Sequence, residues 1–341
     1  MKSIRKGMIF VTFLLMVSMI FLSGTAGAVT VAKDGVITMK LAHVSPLGSP
    51  SDLTAIRLKD LLKERTNGKI VIEIFPNEQL GIEKAAFQGV VVGTIDMSMN
   101  DAAYVADLFS PMGVLDFPYM YRDWEHYDAM LTSKVHQDLV EAAYKKLGAK
   151  FPAAFLFGRR MLCSNKPVRS LADTKGLKIR TPGNELAMEN ARVLGGVPTT
   201  IAYSEAYMGL KQGVADAAEN PTTGIWDMKW HEVTKYLVIT EHVWNNEVLS
   251  MSKKAWAAMT PAQQKIFNDT CVEVEKYRVA LQKDLEGKRL EDLKKFGMEV
   301  IEPPSLDPFR QLAQEISKKY RERYKADNWG EWYDKVKNIK K

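Results

Sequence analysis

The chain has 341 residues, 46% hydrophobic and 26% charged, with 47 Lys and Arg against 41 Asp and Glu. Basic and acidic residues are interleaved, so the formal charge of +6 marks no basic stripe and argues against a nucleic-acid partner. Two cysteines, Cys163 and Cys271, exclude a disulfide scaffold and leave either one bridge or two buried thiols.

Lys2, Arg5 and Lys6 precede an apolar run from Met8 to Leu22, which leads to the small residues Ala26-Gly27-Ala28. That order predicts a cleaved Sec signal peptide over residues 1–28, because the run is shorter than the roughly 20 residues a bilayer span needs. An extracytoplasmic, periplasmic-type location follows. Removing the leader and its three basic residues lowers the net charge to +3. No cysteine follows the run to form a lipobox, and no later apolar run is long enough to cross a membrane. The remaining chain exceeds the ~250 to 300 residues at which one core stops growing, which predicts two domains.

In chain order, Ile37 to Ala42 reads as a strand, and Ser49-Pro50-Ser51-Asp52 supplies an N-cap, a first-position proline and an early acid. Ala55, Leu58, Leu61 and Leu62 share a face of the helix that follows, and Asn67-Gly68 ends it. Lys69 to Phe75 is the next strand, followed by a helix over Glu83 to Val92 and a short strand over Thr94 to Met99. This is βαβ alternation. It resumes with strands at Ala153 to Gly158, Leu177 to Thr181, Pro198 to Ile201 and Asp216 to Glu219. Lys235 to Thr240 and Glu247 to Met251 read as two further strands, and a long helix runs from the cap Thr260-Pro261 toward Phe296. The late return to strand predicts that the chain crosses between domains more than once, leaving a cleft as the place for a small ligand.

The chain lacks a phosphate-binding loop, a nucleophile elbow, H-E-x-x-H and C-x-x-C. His43, His126, His136, His231 and His242 include no i, i+4 pair, so no metal site is expected, and no cofactor. The chemistry that stands out is a pair of arginines at strand ends, Arg160 and Arg180. Ligands in open α/β sheets bind beyond such ends, and a guanidinium grips a carboxylate with two parallel hydrogen bonds. Strand alternation turns Arg159 or Arg160 away from the cleft. Trp226 and Trp230, at i, i+4, read as core, and Trp244 is left open.

The motifs Pro76-Asn77-Glu78-Gln79-Leu80-Gly81, Gly93-Thr94-Ile95-Asp96-Met97 and Asp116-Phe117-Pro118-Tyr119 occur in that order. Arg160 with Ser164-Asn165-Lys166-Pro167-Val168, then Gly176 through Pro182, Tyr203 through Tyr207 and Asp216 through Pro221 complete the series. Together they resemble the substrate-binding proteins of tripartite ATP-independent periplasmic (TRAP) transporters of the DctP type, across nearly the whole mature chain. The resemblance implies a two-domain, periplasmic-binding-protein-like α/β fold (type II-like) with hinge strands and a long helix spanning both domains. On this basis domain I is expected over residues 29–155 and about 245–284, and domain II over 156–244 and about 285–341, with the C-terminal helices packing across both.

By the same resemblance Arg180 is the carboxylate clamp, Arg160 a second basic contact, Asn220 a further hold on the carboxylate, and Tyr203 an aromatic against the ligand. Asn100 and Asp101 fall where the far end of the ligand is met, and His43 lies on the loop after the first strand. The family pattern Asp-Gly-Gln-Glu-Asn-Pro appears here as Asp216-Ala217-Ala218-Glu219-Asn220-Pro221, which bears on the ligand's identity. Asp101 and Glu219, if turned inward, repel a second carboxylate and favour a sugar acid over a C4-dicarboxylate. The expected role is capture of an organic acid for the small and large membrane subunits of a transporter; a sensor module for the same ligands is the alternative. An enzyme is not expected, and either a monomer or a dimer fits.

Overall fold

A computed structural model of the chain describes residues 29–340. The leader expected over residues 1–28 lies outside the described residues. Strands β1 (Thr30–Val31), β2 (Ile37–Ala42), β3 (Ile70–Phe75), β4 (Met97–Asp101) and β5 (Lys150–Ser164) come first. They are followed by β6 (Lys178–Thr181), β7 (Val197–Thr200), β8 (Ala217–Asn220), β9 (Tyr236–Met251) and β10 (Glu299–Ile301). The sheet order is β1-β2-β4-β9-β5-β8-β6-β7, with β3 on β2 and β10 on β9.

The first βαβ unit forms as its caps require. The Ser49 side chain accepts the Asp52 N–H at 3.3 Å, Pro50 opens the helix Pro50–Arg65, and the chain leaves it through Asn67 (φ 48°) and Gly68 (φ 73°). Leu58 and Leu62 are fully buried in a core that includes Met39, Leu41 and Phe155, while β2 and β3 pair in parallel from Ile37↔Ile70 to Ala42↔Phe75. At the other end of the sheet, β6 pairs in parallel with both β7 and β8. A separate core there gathers Leu162, Ile179, Val238 and Phe309.

Two long antiparallel strands join these ends. β5 and β9 pair from Lys150↔Met251 to Ser164↔Tyr236; the Met251 end of β9 also pairs with β4, and the Ser164 end of β5 with β8. The expected strands Lys235 to Thr240 and Glu247 to Met251 are therefore one strand. Its middle is polar, and that polarity hid the continuity. Asn246 donates to the Leu115 carbonyl and to the Asp116 carboxylate, so the interior satisfies what looks like a loop. Likewise the strand expected to stop at Gly158 continues through Arg160 to Ser164. Gly158 stands at a register shift with φ 139°, and a Cβ there would lie 2.5 Å from Gln282 Nε2 and 2.7 Å from Pro221 Cβ. The close approach and the backbone angle both require glycine.

The helix Pro261–Phe296 starts at a capping box between Thr260 and Gln263 and ends at Gly297 (φ 111°). Its 36 residues span about 54 Å at 1.5 Å per residue. Arg278 donates to Thr54 Oγ1 on the first helix, and one turn later Gln282 donates to Thr223 Oγ1 on the helix Thr222–Asp227. Cys163 and Cys271 are free and buried in different cores, so no bridge forms. Trp230 is fully buried. Trp226 stacks on His231, and Trp244 packs edge-on against Trp124, which settles it as a packing residue.

Candidate functional site

Between the two ends of the sheet lies a cavity with about 700 Å³ of atom-free space, part of it continuous with solvent. Arg180 points into it from β6. Its Nε donates to the Ile201 carbonyl at 2.9 Å, and the Tyr203 and Trp230 rings each flank the guanidinium at 5.6 Å. Nη2 is buried without a hydrogen-bond partner, and the residue is 1% exposed. Burial first, and the nearby Arg160 charge second, lower the pKa of Arg180. A buried cation without a counter-ion is costly unless something supplies the missing charge.

Arg160, from β5, meets the opposite circumstance. Its Nε and Nη2 both bond the Glu219 carboxylate, Nη2 also bonds the Glu219 carbonyl at 2.9 Å, and Nη1 bonds Asn245 Oδ1 at 2.5 Å. Burial opposes its charge, but Glu219 and then Asp101 outweigh that, and its pKa is raised. Arg159 turns away, as alternation requires, to Glu286 and Glu241. Asn220, at the end of β8, donates to the Tyr203 hydroxyl at 3.1 Å while its Oδ1 is buried without a partner. It lies tight over the following helix: a Cβ at Gly224 would stand 2.4 Å from Asn220 Nδ2.

Arg180, Arg160, Asn220, Tyr203 and Asp101 thus line the cavity; three other residues expected at the site do not. Asn100 is fully buried, and its Oδ1 accepts from Ser98 and Ser250 at 2.9 Å each, pinning β4 to β9. Successive strand residues face opposite ways, so Asp101 faces the cavity and Asn100 cannot. His43 is 2% exposed, with Nε2 3.4 Å from Asp52 Oδ1, behind the wall; burial lowers its pKa despite the carboxylate. Glu219 is the counter-ion of Arg160, with His242 Nε2 3.5 Å away, so its carboxylate does not face the cavity.

The structure adds wall residues that were not expected: Glu78, Glu83, Lys84, Tyr104 and Glu247 among them. Glu83 opens the helix Glu83–Val92 and reads in sequence as an acid compensating a helix dipole. Glu247 carried a usable signal, since a charged residue inside an apolar strand is rarely buried without a purpose. Three contacts tie residues 78–107 to residues 183–204 beside the cavity. The Gly183 N–H donates to the Tyr104 hydroxyl at 3.2 Å, the Ser204 hydroxyl to Glu78 at 2.5 Å, and the Glu185 N–H to Asp107 at 3.2 Å. Among the described residues, no group of three or more His, Cys, Asp or Glu side chains could hold a metal ion.

The model of the DctP family, bacterial extracellular solute-binding protein family 7, matches residues 41–323. The 2,3-diketo-L-gulonate-binding periplasmic protein YiaO of Escherichia coli K12 is 31% identical over 83% of this chain and 86% of its own length. The sialic acid-binding periplasmic protein SiaP of Vibrio cholerae is 28% identical over 83% of this chain and 88% of its own. Among solved structures, a TRAP periplasmic solute-binding protein from Haemophilus influenzae with bound L-gulonate superposes with a TM-score of 0.84 at 26% identity. It covers 89% of this chain and 99% of that one. A counterpart from Xanthobacter autotrophicus with bound β-D-galacturonate gives 0.82 at 27% identity, covering 89% and 100%. These relatives bind solutes and are not enzymes, and they share the two-domain periplasmic-binding fold. The chain belongs to the DctP family of TRAP solute-binding proteins.

Proposed function

We propose that this protein is the extracytoplasmic capture subunit of an ion-gradient-driven TRAP transporter and closes on an organic acid whose carboxylate is clamped by Arg180. The observation that carries the reading is the buried Arg180 guanidinium, which faces the cavity with Nη2 unpartnered. Asn220, whose Oδ1 is also unpartnered, stands beside it to take a hydroxyl or, through its amide, to support the carboxylate. Arg160 lends a second positive surface while staying bonded to Glu219. Tyr203 lies against the ligand. A hydrogen bond to a charged group contributes about 1.5 to 3 kcal/mol, so a bidentate clamp with one further donor accounts for most of a micromolar affinity, about 8 kcal/mol.

Sugar acids are the first candidates and C4-dicarboxylates the second; the L-gulonate and galacturonate complexes of similar structures support that order. The two bodies that close are residues 29–155 with about 245–284, and 156–244 with about 285–341, with the C-terminal helices packing across both: Phe309 joins the core of Ile179, and Trp329 that of Phe117. The loaded form is recognised by the small and large membrane subunits after the leader is removed and the protein reaches the periplasm.

Calorimetry with L-gulonate, L-galactonate, D-galacturonate, succinate and malate tests the proposal. At least one acid binds the wild-type protein at micromolar concentration, and Arg180→Ala weakens it by at least tenfold. Binding unchanged in that variant removes Arg180 from the site, and no binding of any acid overturns the reading.

A further inference from the structure

Away from Arg180, a second cavity with about 810 Å³ of atom-free space, part of it continuous with solvent, opens where the segment after Phe117 meets the two C-terminal helices. Three cations line it: Arg122 from that segment, Arg310 from the helix Asp307–Arg323, and Lys337 from the last turn of the helix Trp329–Lys337. Among the described residues, no acidic side chain lines it. Arg310 has an exposed pair with Asp307 at 3.0 Å. Arg122 donates to the carbonyls of Lys337 at 2.8 Å and Ile339 at 2.9 Å, and Lys337 Nζ to those of Tyr119 at 2.6 Å and Met120 at 3.3 Å. These bonds leave each cation with donors to spare. Tyr119 stands among them. The Arg310 guanidinium lies 5.5 Å from its ring, and its hydroxyl is buried without a hydrogen-bond partner. Its φ of 53° is costly for an aromatic residue, and its N–H is anchored on the His242 carbonyl of β9 at 2.8 Å.

We propose that this second cavity binds a tetrahedral oxyanion, phosphate or sulfate, between Arg122, Arg310 and Lys337, and that the bound ion ties the Tyr119 segment to both C-terminal helices. The inference is independent of the carboxylate clamp at Arg180. Two guanidinium forks and an ammonium approach from three separate elements, which suits four oxygens arranged in space better than the two of a planar carboxylate. Burial first, then the charges of Arg122 and Arg310, lower the Lys337 pKa, so the three cations lie close enough to repel one another and an anion relieves that repulsion. Tyr119 packs against both the core of Phe117 and that of Ile179, so an ion held beside it stiffens the junction between them.

The test titrates the full mature protein with sodium phosphate and with sodium sulfate by calorimetry at neutral pH, with sodium chloride at matched ionic strength as the control. Arg310→Gln, the Arg122→Gln and Arg310→Gln double variant, and Arg180→Ala are run alongside, with melting temperatures to confirm folding. The wild-type protein is expected to bind at least one of the two ions at about millimolar concentration, and that ion should raise the melting temperature where chloride does not. Arg310→Gln should weaken binding by about threefold and the double variant by about tenfold or more, while Arg180→Ala leaves it unchanged. Binding of neither ion beyond the chloride control overturns the inference. So does a folded double variant that keeps the wild-type affinity; should the double variant not fold, Arg310→Gln carries the same comparison. Loss of binding in Arg180→Ala also overturns it, because the ion then sits in the acid cavity.

Discussion

Arg160 and Arg180 stand on strands separated only by β8, both buried to 95% or more, yet their surroundings are opposite. Glu219 meets Arg160 through both of its oxygens, whereas Arg180 has a single carbonyl and two ring faces. Burial alone therefore does not identify a binding group. A matched buried charge is a fastening within the fold, and an unmatched one is free to receive something from outside.

Removing each guanidinium separates the two cases. Arg160→Met leaves Glu219 buried without its partner, and a broken buried pair costs about 3 to 5 kcal/mol; urea denaturation of the unliganded protein should show a loss of that size. Gly158→Ala, two residues upstream, forces a Cβ against Gln282 and Pro221 at φ 139° and should cost about 1 to 3 kcal/mol in the same assay. Arg180→Met should leave unliganded stability unchanged or raise it by about 1 kcal/mol, since it removes an unmatched buried charge. A loss as large as that of Arg160→Met would show that the two arginines are equivalent. Ser204→Ala removes the contact to Glu78 on the cavity wall and should weaken acid binding by about 0.5 to 1 kcal/mol, two- to fivefold by calorimetry.

Much of the scaffold was legible because local rules were obeyed. The Ser49 cap, the Asn67-Gly68 exit and the helix Glu83–Val92 all form at or within two residues of their expected places. What failed was anything decided by partners distant in sequence. The middle of β9 reads as a loop until Leu115 and Asp116 are placed beside Asn246. Glu219 reads as a possible ligand contact until β5 brings Arg160 across from it. Arg180's place on the cavity wall was legible because a strand-end arginine in an α/β sheet carries its own chemical argument. Asn100 shows a different failure, since alternation along β4 already allows only one of Asn100 and Asp101 to face the cavity. Glu83 gave no usable signal, because an acid in a first helical turn has an ordinary explanation.

The long helix places Arg278, Gln282 and Glu286 at four-residue steps on its buried face, so one flank of the junction is a seam of guanidinium, amide and carboxyl groups. Hydrocarbon torn from hydrocarbon carries a penalty that scales with area, but groups like these exchange one hydrogen bond for another when water enters. Wetting this seam exposes little oil. In the closing motion proposed above, this flank of the junction can part and rejoin without laying bare an apolar surface.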